Sequence, residues 1–280
     1  MTYKTQSGEN APGERHLRGL FIGMIFVCWT LGACALMFPA ASPSPTAAPT
    51  ITPAQDGWES IASGLERRAY LPNDSLLSQL EIVRIDPSQY TFRAHYTPGT
   101  AYSITDWRGT LAGAAAFVNA NFFDVNHRIL GLLVADSVIY GESYRDRGGT
   151  FLVQNGQPRV RSNIAEPYRG EPLEQAVQAF PMLMLNGQTA YNSGGAERVT
   201  RRTVIAQDTS GRILLMATPG FGLTLEALSA YLPTTDMQLV NALNLDGGGS
   251  TMMFYQRENG DPFILPSLDP VPSVLAVYPK

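Results

Sequence analysis

Short apolar runs broken by polar punctuation dominate this chain, and few stretches read as helix. Residues 80–85 predict a strand, and 90–96 predict its partner across the Asp86-Pro87 turn. Residues 104–111 predict a short helix, and 114–118 an apolar run leading into Asn119-Ala120-Asn121-Phe122-Phe123-Asp124. The runs at 130–134, 137–140 and 150–153 predict a meander of short strands. Residues 161–179 predict a loop and then a helix from Pro172, followed by a strand at 180–185 that ends at Asn186-Gly187. A hairpin is expected from 203–207 and 213–218 over Asp208-Thr209-Ser210-Gly211. Thr224 is placed to cap a helix at 225–232, with Glu226 near its positive end. Residues 239–245 and 252–255 flank a glycine turn, and 274–278 form a closing strand. The expected fold class is α+β: one domain with a mixed, mostly antiparallel sheet of short strands and a few helices.

Ahead of that pattern the chain changes character. Residues 20–38 are uncharged and mostly apolar, about the length that spans a bilayer. Lys4, Arg15, His16 and Arg18 precede this stretch, and no charge follows until Asp56. This asymmetry places the N-terminus in the cytoplasm and the rest on the extracytoplasmic side. A retained anchor, a cleaved signal peptide and a lipoprotein signal at Leu31-Gly32-Ala33-Cys34 all fit the segment, and all three export the domain. The expected organisation is a cytoplasmic tail at 1–19, a transmembrane or signal segment at 20–38, an Ala/Ser/Pro/Thr-rich tether at 39–57 and a folded domain at 58–280.

Composition narrows the chemistry. The 280 residues carry a formal net charge of −4 and no dense Lys/Arg patch, which argues against nucleic acid as a partner. The two cysteines, Cys28 and Cys34, lie in the apolar N-terminal segment, so the domain has no disulfide staple, thiolate nucleophile or Cys-type zinc site. His95 and His127 stand apart with no metal-ligand spacing.

The most informative segment is Asn244-Leu245-Asp246-Gly247-Gly248-Gly249-Ser250-Thr251. A carboxylate at a strand end is followed by glycines that let a ligand approach the main chain, and exposed N–H groups of such a turn can cradle an anion. An Asp-Gly pair alone would indicate a hairpin, but three glycines exceed what a hairpin needs. The segment is no P-loop, since it lacks the Lys and a following helix. Gly220-Phe221-Gly222 lacks the third glycine of a dinucleotide fingerprint and reads as loop. In the Asn119–Asp124 stretch, amides could orient sugar hydroxyls and aromatic faces could line a sugar site; taken alone, the stretch reads more readily as a core strand with paired Phe and a turn Asp. In Glu197-Arg198-Val199-Thr200-Arg201-Arg202-Thr203, Arg202 stands directly before a strand and could grip phosphate with its planar fork. Arg198 and Arg201 read as solvated.

In order and approximate spacing these blocks, with Gly222-Leu223-Thr224-Leu225-Glu226-Ala227-Leu228, resemble the phosphodiester glycosidase family over roughly residues 114–278. Ala206 stands where that family usually has Gly, and residues 267–272 carry no Arg where the family often has one. The resemblance implies hydrolysis of a sugar 1-phosphodiester at the anomeric carbon, with phosphodiester-linked carbohydrate as partner and no cofactor. Asp246 is the leading catalytic carboxylate and Asp124 the second. Arg202, Thr203 and the backbone of Gly247, Gly248, Gly249 and Ser250 would hold phosphate, while Asn119, Asn121 and Asn244 would position the sugar. Two other readings use the same residues. One is a non-catalytic envelope module that binds phosphodiester-linked glycan. The other is a metal-dependent phosphodiesterase in which Asp246 and Asp124 hold a hard cation such as Ca²⁺.

Overall fold

The computed structural model describes residues 57–258 and 260–280. The expected tail at 1–19, the apolar segment at 20–38 with Cys34, and the tether up to residue 56 lie outside the described residues. Among the described residues, no helix is long and apolar enough to cross a membrane.

Three antiparallel sheets make up the domain. The large sheet runs, edge to edge, through Glu59–Ala62, Leu65–Tyr70, Leu80–Ile85, Ile213–Ala217, Thr203–Asp208, Leu239–Asn244, Met182–Leu185 and Gln188–Thr189. A second sheet orders Val138–Tyr140, Leu133–Ala135, Gln175–Ala179, Gly149–Gln154 and Gln157–Ser162. The third orders Phe263–Leu265, Met253–Tyr255, Ala116–Asn119, Ser273–Pro279 and Tyr90–Tyr96. Among the described residues no strand pair is parallel, so the expected mixed sheet is instead wholly antiparallel.

The strands of the large sheet read as continuous apolar runs because both faces are buried. Val83, Ile85, Ile205, Leu215 and Leu243 point into a core shared by all three sheets, where they meet Phe92, Val118, Leu133 and Phe151. Their neighbours Ile82, Val204, Ala206, Met216 and Ala242 point the other way, onto Leu228 and Leu232 of the Thr224-capped helical segment. The strand period of two therefore divides one apolar run between two cores. The helix Leu225–Tyr231 begins as expected, with the Thr224 hydroxyl accepting from Ala227 N at 3.0 Å. Likewise Ile104–Thr110 opens with a reciprocal capping box between Ser103 and Asp106, and packs Ile104, Trp107 and Leu111 on the outer face of the third sheet.

Two pairings and one element differ from expectation. Leu80–Ile85 and Tyr90–Tyr96 do not pair across Asp86-Pro87; they enter different sheets, with Tyr90–Tyr96 against Ser273–Pro279. The strands at 133–154 are not a simple meander, because Gln175–Ala179 inserts between them. That segment was expected to be helical. It is a strand buried along its length, and Gln178 satisfies its amide by accepting from Leu132 N and Tyr144 N and donating to Thr150 Oγ1. Helix-compatible Ala and Gln yield here to tertiary hydrogen bonding.

Candidate active site

The glycine segment is not a hairpin turn. Leu239–Asn244 belongs to the large sheet and Met253–Tyr255 to the third, so the turn carries the chain from one sheet to another. Asn119 fastens this crossing. Its amide donates to the Asp246 carbonyl at 2.6 Å, and its oxygen accepts from Thr203 Oγ1 at 2.7 Å and Met252 N at 3.0 Å. The Asp246 N–H in turn donates to the Ala120 carbonyl at 3.0 Å. Asp246 is thus held where the ends of three strands converge, those ending or starting at Asn119, Thr203 and Asn244.

Asp246, Asn244, Gly247, Gly248, Thr200 and Arg202 form the polar side of a cleft of 460 Å³. Its apolar wall comes from Phe122, Phe180, Pro181, Tyr191 and Leu225, with the Phe122 and Phe180 rings 4.7 Å apart. A larger cleft of 660 Å³ elsewhere is lined by Leu111, Phe117, Phe254 and Arg108, and takes in none of the residues singled out from sequence. The larger cleft also holds a cation and a carboxylate, Arg108 and Glu258. The smaller one is the better candidate because its carboxylate, Asp246, is pulled out of water and sits on the glycine turn with Arg202 in the same lining.

Burial pushes the Asp246 carboxyl up to about 6. Hydrogen bonds from Ser250 and Gly247 N oppose this, and the Asp269 charge adds to it. Gly247 N lies 2.9 Å from Asp246 Oδ1. The shift is dominated by removal from water, which penalises the charged form. Arg202 stands across the same cleft. Its Nε donates to the Leu223 carbonyl at 2.8 Å and its Nη2 to the Arg198 carbonyl at 2.9 Å. Burial lowers its pKa from the ordinary value, though an arginine stays charged. Carbonyls orient the guanidinium without neutralising it, so it presents charge to a ligand.

The remaining residues expected at the site fall into different places. Asn119 and Thr203 are buried beneath it and brace Asp246 rather than facing the cleft. Asn121 is also buried, and donates to the carbonyls of Leu132 and Gln178 at 3.0 Å, joining a loop to the second sheet. Asn244 lines the cleft, while its amide donates to the Phe180 carbonyl at 2.9 Å and holds the aromatic wall. Asp124 does not join Asp246. Its Oδ1 accepts from Asn126 N at 2.8 Å and Arg128 N at 2.9 Å, closing a surface turn. These backbone donors, that of Arg128 first, hold its carboxyl below the ordinary value. The cation site imagined between the two carboxylates is therefore not assembled, and among the described residues no group of three or more His, Cys, Asp or Glu is placed to hold a metal.

The glycine turn also offers fewer donors than its sequence suggests. Gly247 N is taken by Asp246, Gly248 N by the Arg201 carbonyl at 2.8 Å, and Ser250 N by the Gly247 carbonyl at 3.2 Å. Arg201, expected in solvent, is half-buried; its Nη2 donates to the carbonyls of Thr251 at 2.8 Å and Pro266 at 3.0 Å. Phe180, Pro181 and Tyr191 had no signal in sequence, since an aromatic beside a strand looks the same whether it fills a core or lines a cleft.

The phosphodiester glycosidase family model matches residues 112–278. Among curated proteins none matches the chain. The fold is similar to that of the zebrafish N-acetylglucosamine-1-phosphodiester alpha-N-acetylglucosaminidase catalytic domain auto-inhibited by its pro-peptide. The TM-score is 0.58 at 17% identity, covering 79% of this chain and 86% of that one. A hypothetical protein from Synechocystis gives a TM-score of 0.57 at 18% identity, covering 82% of this chain and 64% of that one. Every residue lining the Asp246 cleft falls inside the matched segment, and the chain belongs to the phosphodiester glycosidase family, a family of glycosidases acting on phosphodiester-linked sugars.

Proposed function

We propose that the protein hydrolyses a sugar 1-phosphodiester at the anomeric C–O bond, acting on cell-envelope or extracellular glycan. The observation that carries this reading is the presence of Asp246 and Arg202 in one aromatic-walled cleft. Cleavage at the anomeric carbon passes through an oxocarbenium-like state, which a carboxylate stabilises. The bond from the anomeric carbon to the phosphate oxygen breaks, and its electron pair leaves with the phosphate monoester. A phosphate needs little protonation to depart, so Arg202 can stabilise the developing charge directly. Water adds to the anomeric carbon and gives its proton to the ionised Asp246 carboxylate. Phe122, Phe180 and Tyr191 supply apolar faces against which a sugar ring can pack.

Export is supported by the apolar stretch at 20–38 and the basic residues before it. The domain would then meet its substrate outside the membrane.

Release assays with sugar 1-phosphodiesters in ¹⁸O-water test the reaction. Label in the sugar is expected; label in the phosphate would mean P–O cleavage and overturn the assignment. Saturable binding without product would support the glycan-binding module, which the single carboxylate lining the cleft favours.

Two further outcomes are expected. Because Asp246 works ionised and its carboxyl is pushed up to about 6, kcat/KM should fall as pH drops through about 6. A profile flat down to pH ~4 would remove Asp246 from that role. Arg202→Lys should raise KM for a phosphodiester by roughly tenfold, because an ammonium cannot hold two carbonyls and still present a planar fork. Equal affinity in the two proteins would assign Arg202 to structure.

A further inference from the structure

We propose that Glu197 is a positioning residue: its carboxylate pins the Tyr191 ring in the cleft wall and, through the adjoining Arg198 carbonyl, holds Arg202 on the phosphate side. This role presupposes the reaction proposed above. Glu197 is not itself part of the cleft lining, but it reaches the site through two residues that are. The Tyr191 hydroxyl donates to Glu197 Oε1 at 2.8 Å. Arg202 Nη2 donates to the carbonyl of Arg198, the next residue along, at 2.9 Å. The other carboxylate oxygen, Oε2, accepts from Glu226 N at 3.0 Å, in the first turn of the helix Leu225–Tyr231. Anchoring the Glu197 side chain on that helix also fixes the backbone from which the Arg198 carbonyl projects. One carboxylate thus ties the aromatic wall and the guanidinium to the same helix.

Tyr191 is held from both ends. Its N–H donates to Ser229 Oγ at 3.1 Å, and that buried hydroxyl donates to the Leu183 carbonyl at 2.5 Å. A second clasp, from Ser193 Oγ to Glu226 Oε2 at 2.6 Å, closes the same loop on the same helix. Between the clasps, Gly194, Gly195 and Ala196 are exposed, so the loop has little packing of its own to keep Tyr191 and Arg198 in place. A ring and a guanidinium fixed before the ligand arrives need no ordering on binding. The bond to Glu197, ahead of burial, also raises the Tyr191 pKa. The phenol proton is committed to the carboxylate, and Tyr191 serves as a wall, not as an acid for the departing phosphate.

The test combines kinetics on a sugar 1-phosphodiester with calorimetric binding of glucose 1-phosphate and of inorganic phosphate, all on the whole 280-residue chain. Glu197→Ala is expected to raise KM and the Kd of glucose 1-phosphate by about tenfold, while kcat falls by less than about threefold. Glu197→Gln, whose carbonyl oxygen can still accept from Tyr191, should recover most of that loss, and it guards against the alanine variant failing to fold. Tyr191→Phe should raise KM with the pH profile unchanged, and should add little in the Glu197→Ala background, since the two residues share one bond. Inorganic phosphate should bind more weakly to Glu197→Ala but not to Tyr191→Phe, because only the first loosens Arg202. An unchanged KM, or an unchanged Kd for either probe, in Glu197→Ala would overturn the proposal. So would additive effects in the double variant, or a fall in kcat at constant KM, as a smaller folded fraction would give. Wild-type protein that binds glucose 1-phosphate but turns over no phosphodiester would count against the proposed reaction, while the Kd values would still decide the role of Glu197. Wild-type protein that binds neither probe would overturn both.

Discussion

Asp246→Asn is expected to abolish turnover, by about 10³-fold or more, and at the same time to raise stability at neutral pH. Both effects have one cause. Asp246 is largely removed from water, and its carboxyl is pushed up to about 6. In the unfolded chain the same group titrates near ~3.9. The folded state therefore binds this proton more tightly. The contribution of Asp246 to stability is most favourable below about pH 4 and is lost as pH rises through about 6. At pH 7 the ionised, desolvated carboxylate costs roughly 3 kcal/mol. Asparagine keeps the shape, can accept from Gly247 N and can donate to Ser250, but carries no charge to desolvate. Urea unfolding at pH 7 and pH 4, run beside product release, checks both claims. The stability gain should be present at pH 7 and largely gone at pH 4. A variant that loses activity and stability together would show that Asp246 holds the turn rather than serving the chemistry.

Gly222→Ala is expected to give the largest loss of stability near the site, roughly 3 kcal/mol or more. Gly222 has φ of 85°, in the left-handed region. A Cβ there would overlap the Thr200 carbonyl oxygen outright. The overlap cannot be relieved by a side-chain rotation, because the obstacle is backbone. Thr200 and Leu223 are joined by a bridge with Leu223 N donating to Thr200 O at 3.1 Å, and Gly222 N donates to Leu77 O at 3.1 Å. The same bridge presents the Leu223 carbonyl to Arg202 Nε. The variant should therefore show a lower urea midpoint, and any folded fraction should show a KM for phosphodiester raised more than its kcat is lowered. A wild-type midpoint would mean that the 220–223 segment can move aside freely.

The sequence alone determined much of the secondary structure and the leading carboxylate. Local chemistry is enough for both. The strand at 80–85, the hairpin over Asp208-Thr209-Ser210-Gly211 and the Thr224 cap follow from periodicity, turn residues and a hydroxyl before an apolar run, and all three are present. The excess of glycine after Asp246 pointed to a cleft instead of a plain hairpin, and Asp246 lines one. Tertiary structure decided which strands pair and which polar residues face the cleft. Residues 175–179 carry Ala and Gln that suit a helix, and only their burial between two strands makes them a strand. Asn119 and Asn121 end an apolar run as ligand-binding amides would, but buried carbonyls and hydroxyls around them take up their hydrogen bonds. Asp124 and Asp269 are both acidic residues in loops, indistinguishable by type. Asp124 is drawn outward by the N–H groups of its own turn, two and four residues ahead. Asp269 is drawn against Gly249 by bonds across twenty residues of chain. Contacts within a turn are written in adjacent residues; contacts between sheets depend on where the whole chain closes, which no local pattern encodes.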